Sequence, residues 1–76
     1  MNDKIYLKEL KHWDGEKYVT LDMIGITEQT ITVVVTDAGK ITVREYDLYE
    51  DNNGVFFEYG PNFARIEVSD FVELER

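Results

Sequence analysis

The residue types that most often carry enzymatic chemistry are scarce in this 76-residue chain. His12 is the single histidine, and it lies beside Trp13 in a segment where a turn is predicted. Ser69 is the single serine, and it has neither a Gly-x-Ser-x-Gly context nor a second histidine to act as a base. The chain has no cysteine, which excludes thiolate catalysis, disulfides and thiolate metal sites. The sequence therefore predicts a protein that is not an enzyme and that uses no cofactor.

Residues 49–60, YEDNNGVFFEYG, contain a glycine and the oxygen-bearing side chains typical of a calcium loop. An EF-hand loop needs an acid at position 1, oxygen ligands at 3 and 5, glycine at 6 and glutamate at 12. With Gly54 at position 6, Asp51 and Asn53 fit positions 3 and 5, but positions 1 and 12 hold tyrosine and glycine. Because both anchoring carboxylates are missing, no metal site is predicted, and the segment is interpreted as a hairpin.

Acidic residues are distributed unevenly along the chain. Residues 1–18 contain four acids and four lysines, so the formal net charge of -8 resides in residues 19–76. A surface of this sign repels phosphates, so neither nucleic acid nor an anionic membrane is predicted as a direct partner. It favours a basic protein partner, or serves solubility alone. Because no apolar stretch approaches the roughly 20 residues of a membrane span, and no signal peptide is visible, a cytoplasmic location is predicted.

Alternating β-branched residues predict strands over most of the chain. In residues 30–36, TITVVVT, the side chains of Ile31, Val33 and Val35 fall on one face. Residues 37–39, DAG, then form a turn, and residues 40–49 alternate again, so the two runs are predicted to form a hairpin. Two further hairpin turns are predicted at Asp14-Gly15 and at Asn53-Gly54, the latter of type I′ with both residues in the left-handed region.

The N-terminal segment can be interpreted in two ways. Tyr6, Leu10 and Trp13 have the i, i+4, i+7 spacing of a helix face, and Asn2 could cap a helix over residues 3–13. The Asp-Gly turn that follows suits a strand instead, because such a turn joins the two strands of a hairpin. The strand is favoured, and a short N-terminal helix or 3-10 turn is the alternative.

These elements predict a single small all-β domain over residues 1–76, with five or six antiparallel strands in meander order. Several strands are apolar on both faces, so the sheet is expected to curl strongly or to close into a small barrel. The tail, residues 64–75, reads as a strand, one tight turn and a short closing strand. This ending resembles the close of an SH3-like barrel. The resemblance is architectural and implies no particular function.

Seven of the ten aromatic residues lie within residues 46–71, interleaved with acids. Alternation places Phe56 and Glu58 on one face of a strand and Phe57 and Tyr59 on the other, and one face must be core. Aromatic rings are enriched at interfaces, although they could simply fill a thin core. The 46–59 hairpin is therefore predicted to bind a protein partner or a second copy of the chain. The predicted binding residues are Tyr46, Tyr49, Glu50, Asp51, Phe56 and Glu58.

A second functional hypothesis belongs to a different class, the nucleic-acid mimics encoded by phages and mobile elements. Such a protein presents carboxylates at phosphate-like spacing and occupies the DNA site of a nuclease or regulator. The acid density here is moderate, and basic residues interrupt it. These are Lys4, Lys8, Lys11, Lys17, Arg44 and Arg65.

Overall fold

The computed structural model describes residues 4–75, and it describes the side chains of residues 6–73. This part of the chain is all-β, with one 3-10 helix and no helix that is long and apolar enough to cross a membrane. The all-β prediction is therefore confirmed. The elements are β1 (Lys4–Leu7), β2 (Leu10–Trp13), β3 (Tyr18–Ile26), β4 (Thr30–Asp37), β5 (Lys40–Asp47), β6 (Tyr49–Asp51), β7 (Gly54–Tyr59), β8 (Ala64–Glu67), the 3-10 helix (Val68–Phe71) and β9 (Val72–Glu75).

The nine strands form three antiparallel sheets. The long sheet has the order β2-β3-β4-β5, the short sheet has the order β6-β7-β8, and β1 pairs with β9 as a terminal pair. The expected five or six strands in one meander are therefore wrong, and no closed barrel is formed by residues 4–75. There are two reasons. The run predicted over residues 40–49 is interrupted between β5 and β6. The closing strand β9 pairs with the first strand β1 instead of with β8, which precedes it in the chain.

The N-terminal segment is extended, as favoured. β2 pairs with β3 in a register that joins Leu10 to Leu21 and Trp13 to Tyr18. The helix alternative is wrong for residues 4–13, and Asn2 lies outside the described residues. β2 pairs with β3 over all four of its residues, which satisfies the backbone groups on the side that faces β3. A lone short helix, by contrast, is only marginally stable in water. Among residues 4–75, the 3-10 turn lies near the other end, before β9.

The hairpin between β4 and β5 is confirmed. Asp37 pairs with Lys40, so the turn consists of Ala38 and Gly39, with φ angles of 51° and 84°. Two successive positive φ angles define the type I′ turn, which matches the twist of the flanking strands. Ala38 is an unusual occupant, because its Cβ is disfavoured in the left-handed region.

The hairpin at residues 51–54 is also confirmed, but its predicted turn type is wrong. Asp51 pairs with Gly54, so Asn52 and Asn53 are the central residues, and only Gly54 has a positive φ, of 130°. The Asp51 Oδ1 atom accepts a hydrogen bond from the Asn53 backbone N–H at 2.9 Å. This local bond stabilises an Asx turn. The residue with the positive φ angle is Gly54, which follows the two central residues of the turn instead of being one of them.

A single core lies between the long and the short sheets. The predicted inward face of β4 is confirmed, because Ile31, Val33 and Val35 are buried. From the other side, Phe57 of β7 and Phe71 of the 3-10 helix are buried and stack with ring centroids 6.2 Å apart. The buried apolar residues are Val19, Leu21, Ile31, Val33, Val35, Phe57, Ile66 and Phe71.

Candidate functional site

The outer face of the short sheet carries most of the predicted binding residues. In β7, Phe57 faces the core, so Phe56 and Glu58 face outward by strand alternation. The register aligns Tyr49 with Phe56 and Phe56 with Glu67 across the three strands. The rings of Tyr49 and Phe56 lie 5.7 Å apart in a tilted arrangement. Two neighbouring aromatic rings are therefore displayed on this face.

Arg65 of β8 organises the same face. Its guanidinium lies over the Phe56 ring, 3.8 Å from the ring centroid. Its Nη1 and Nη2 atoms donate to Asp51 Oδ2 at 2.6 Å and to Asp51 Oδ1 at 2.9 Å, and its Nε donates to Glu67 Oε1 at 2.6 Å. Bidentate pairing of this kind adds geometric specificity to attraction. One side chain thus connects β6, β7 and β8.

The ion pair changes the acidity of Asp51. The Arg65 guanidinium, with help from the Asn53 backbone N–H, lowers the pKa of the Asp51 carboxyl from 3.8 to about 2. Asp51 is therefore fully ionised at neutral pH, and the same contacts raise the pKa of Arg65. Both groups are exposed, so solvent screens the pair and its role is chiefly to orient the face.

The six predicted binding residues do not all share this face. Tyr49, Asp51, Phe56 and Glu58 do, by the alternation of β6 and β7. Glu50 lies on the opposite face of β6, paired with Val55. Tyr46 belongs to β5, and its ring stacks on the buried Phe57 with centroids 5.1 Å apart. Burial raises the pKa of the Tyr46 hydroxyl, and the neighbouring Tyr59 contributes to the same shift.

A shallow cavity of about 290 Å³ is lined by Tyr46 together with two residues of the outer face, Tyr49 and Glu58. It opens where the end of β5 meets the short sheet, and we name it the acidic aromatic pocket. No lysine or arginine lines it, and none of its three carboxylates has an ion-pair partner among the described side chains. Its lining consists of Glu45, Tyr46, Asp47, Tyr49, Glu58 and Phe63.

Sequence reasoning missed Arg65, Glu67 and Phe63. Alternation in residues 64–68 places Arg65 and Glu67 on one face, and this signal could have joined them to Glu58 once antiparallel pairing with β7 was assumed. Phe63 carried no such signal. It is 69% exposed, follows the Pro61 turn and has a φ of 53°, a conformation in which aromatic residues are rare.

His12 lies in a different cavity, of about 350 Å³, between β2 and the loop after β7. It packs edge-to-face on Tyr59, with ring centroids 5.4 Å apart. The one carboxylate that lines this cavity is Asp14, whose Oδ1 accepts the backbone N–H groups of Glu16 at 2.8 Å and Lys17 at 2.9 Å. These two bonds, that of Lys17 first, lower the pKa of Asp14. Packing and turn formation thus account for both side chains.

No group of three or more histidine, aspartate or glutamate residues in residues 4–75 is arranged to hold a metal ion. Comparison of the chain with protein-family models, with curated proteins and with solved structures finds no match. Functional inference therefore rests on the geometry of the described residues, and chiefly on the acidic aromatic pocket and the face beside it.

Proposed function

We propose that this chain is a non-enzymatic protein-interaction module that binds a basic protein partner. The binding surface is the outer face of the short sheet together with the acidic aromatic pocket. The observation that carries the proposal is the pocket itself, where Glu45, Asp47 and Glu58 lie beside three aromatic rings with no cation among the lining residues. Carboxylates next to ring faces suit a cationic group from another molecule.

The neighbouring face supports a protein partner because it is already ordered. Arg65 fixes Asp51 and Glu67 and covers one side of the Phe56 ring. Little side-chain entropy remains to be lost when a partner docks on such a surface. Tyr49 is 47% exposed beside Phe56, and tyrosine is among the residues that most often dominate binding energy at interfaces.

We also propose that the architecture is a curled and incompletely closed relative of the SH3-like arrangement. Two observations support this: the long and short sheets share one core, and a 3-10 helix precedes the last strand. In this arrangement the junction of β5 with the short sheet is an open seam, and the acidic aromatic pocket lies in that seam.

A nucleic-acid mimic is less well supported by this surface. A mimic needs a row of carboxylates on its surface with no cation between them. On the outer face, however, Arg65 lies between Asp51 and Glu67. Salt separates the two functions. Binding that falls steeply with added salt indicates a mimic, whereas a shallow dependence indicates an aromatic interface with an acidic rim.

The proposal is tested by capturing partners of the wild-type chain from an extract of its source cells and then measuring the affinity of two variants. Y49A removes an exposed ring from the proposed surface and should weaken binding at least about tenfold, as for a moderate hot spot. I41A removes a side chain that is 68% exposed on the long sheet and should change the affinity less than about twofold. Equal affinities for Y49A and the wild type would overturn the proposal.

A further inference from the structure

β5 presents an unpaired edge beside the acidic aromatic pocket. Within residues 4–75, β5 pairs only with β4. Asp37 and Lys40 flank a two-residue turn and thus form a hydrogen-bonded pair, after which bonded and non-bonded pairs alternate. The bond from the Leu48 backbone N–H to the Gln29 carbonyl, 2.8 Å long, has the parity that this alternation requires. The backbone N–H and C=O groups of Ile41, Val43 and Glu45 therefore point away from β4.

A groove runs along the second half of this edge. The acidic aromatic pocket shares Tyr46 with a second cavity of about 400 Å³, whose lining includes Arg44, Gly60 and Pro61. Together the two cavities follow residues 44–47 of β5, and the loop after β7 forms the opposite wall. The groove thus combines free backbone groups on one side with separate side-chain cavities along its length.

We propose that an extended segment of the protein partner adds to β5 as a further strand in this groove, with one arginine or lysine side chain in the acidic aromatic pocket. This inference rests on the proposed function and adds the mode of binding and the chemistry of the bound segment. In strand addition, main-chain hydrogen bonds provide affinity, and pockets for alternate side chains provide specificity. Successive side chains of an extended segment point to opposite faces, so the two cavities take different residues of the segment.

Charge selects the residue for each cavity. Three carboxylates and no cation line the acidic aromatic pocket, which favours a guanidinium or ammonium group there. Arg44 lines the second cavity, so a second cation close to the first in the bound segment is disfavoured. The bound segment therefore carries a single basic residue flanked by neutral or acidic ones, unlike a polybasic tail.

The test uses the full chain and two synthetic probes, the peptide acetyl-Thr-Val-Arg-Val-Thr-amide and the same peptide with neutral citrulline in place of arginine. Backbone amide spectra of the chain, recorded by NMR during titration, should change most at Glu45, Asp47 and Phe63. The arginine peptide should bind at least about fivefold more tightly than the citrulline peptide, as expected for one charge-assisted contact.

Two substitutions separate the charge from the backbone donor. E45Q removes one carboxylate of the pocket and keeps the backbone N–H, and it should weaken binding of the arginine peptide about twofold to threefold. E45P also removes the N–H that points away from β4, and it should weaken binding at least about fivefold further. The matched control is I41P, which removes an equivalent outward N–H outside the groove and should bind as the wild type does.

Three outcomes would overturn strand addition. One is equal affinity of E45P and E45Q, provided that both spectra show the native fold. If E45P is unfolded, the test is hydrogen exchange of the Glu45 amide in the wild type. Strand addition is then overturned if this exchange does not slow when the arginine peptide is added. Another is spectral change at Tyr49 and Phe56 without change in β5, which would leave the proposed function standing. The third is change at Glu45 on raising the protein concentration alone, which would assign the edge to a second copy of the chain.

Discussion

The long and the short sheet pack on the same core but are held together by different interactions. In the long sheet, β3, β4 and β5 are nine, eight and eight residues long and pair along most of their lengths. The strands of the short sheet have three, six and four residues. Their outer face is crossed by the contacts of Arg65 with Asp51, Glu67 and Phe56. Backbone pairing and burial thus hold the long sheet, and side-chain contacts reinforce the short one.

The outer faces of the long and the short sheet also differ in the side chains that they display. Where β4 and β5 pair, Val34 lies opposite Val43 and Thr36 lies opposite Ile41, so this part of the long sheet's outer face is built from β-branched side chains that suit extended backbone. On the short sheet, the outer face carries ionised and aromatic side chains in fixed relative positions. The comparison fits the proposed function, in which most of the long sheet serves as a scaffold and the short sheet, together with the end of β5, presents the proposed binding groups.

The largest expected effect is at Phe57, which joins the two regions through the core. F57A leaves a cavity beneath Tyr46 and should lower the free energy of unfolding by about 3–5 kcal/mol, measured by urea denaturation. F56A removes a half-buried ring from the outer face and should cost only about 1–2 kcal/mol. An F56A variant less stable than F57A would mean that the outer face, and not the core, holds the short sheet.

Each region also contains one strained turn residue, and relief of that strain should separate stability from binding. Ala38 and Phe63 have φ angles of 51° and 53°, where asparagine is better tolerated. A38N and F63N should each stabilise the chain by about 0.5–1 kcal/mol, which corresponds to a rise in Tm of roughly 2–8 °C. Partner affinity should be unchanged in A38N and lower in F63N, because Phe63 lines the acidic aromatic pocket. An F63N variant with wild-type affinity would remove Phe63 from the site.

Arg65 should matter to one region only. R65M keeps the length of the side chain but loses its hydrogen bonds to Asp51 and Glu67. Amide hydrogen exchange should become roughly twofold to fivefold faster in the short sheet, as for loss of an exposed ion pair, and stay unchanged in β3 and β4. The matched variant is R44M, because Arg44 forms no ion pair with the described side chains, and it should leave both sheets unaffected. Faster exchange throughout R65M would show that the sheets open together.

The smallest effect is a pH dependence that is confined to the short sheet. Because the folded-state pKa of Asp51 is about 2, below its ordinary value of 3.8, its ionised form stabilises the fold above pH 4. This contribution is lost as the pH falls from about 4 to about 2. The difference in Tm between the wild type and D51N should therefore be largest near neutral pH and vanish near pH 2. Added salt should reduce it as well, and a difference that grows on acidification would contradict the ion-pair account.

The long sheet was largely predictable from sequence because its signals are local. Ile31, Val33 and Val35 alternate within one run, and the turn at Ala38 and Gly39 joins that run to the next. A period of two fixes which side chains share a face, and a two-residue turn fixes the register. Both facts lie within a few residues of one another along the chain.

The short sheet and its site were less predictable because they depend on distant residues. Strand alternation predicts that Phe56 and Glu58 share one face. No local pattern predicts that Arg65 contacts Asp51, which lies fourteen residues earlier in the chain. Tyr46 was grouped with the outer face because it is near in sequence, whereas it belongs to another sheet and packs on Phe57. Contacts between sheets follow from tertiary packing, which no periodicity encodes.

The terminal pair has a consequence for how the protein is made. β1 is the first of the described strands to leave the ribosome, and its partner β9 is the last. The Lys8 backbone N–H, which donates to the Phe71 carbonyl at 2.8 Å, likewise has no partner until residue 71 has been synthesised. A nascent chain that stalls before residue 68 therefore exposes an unpaired strand and lacks the Phe71 ring beside Phe57. The finished domain differs from such an incomplete product in both respects, because β1 is paired with β9 and Phe71 stacks on Phe57.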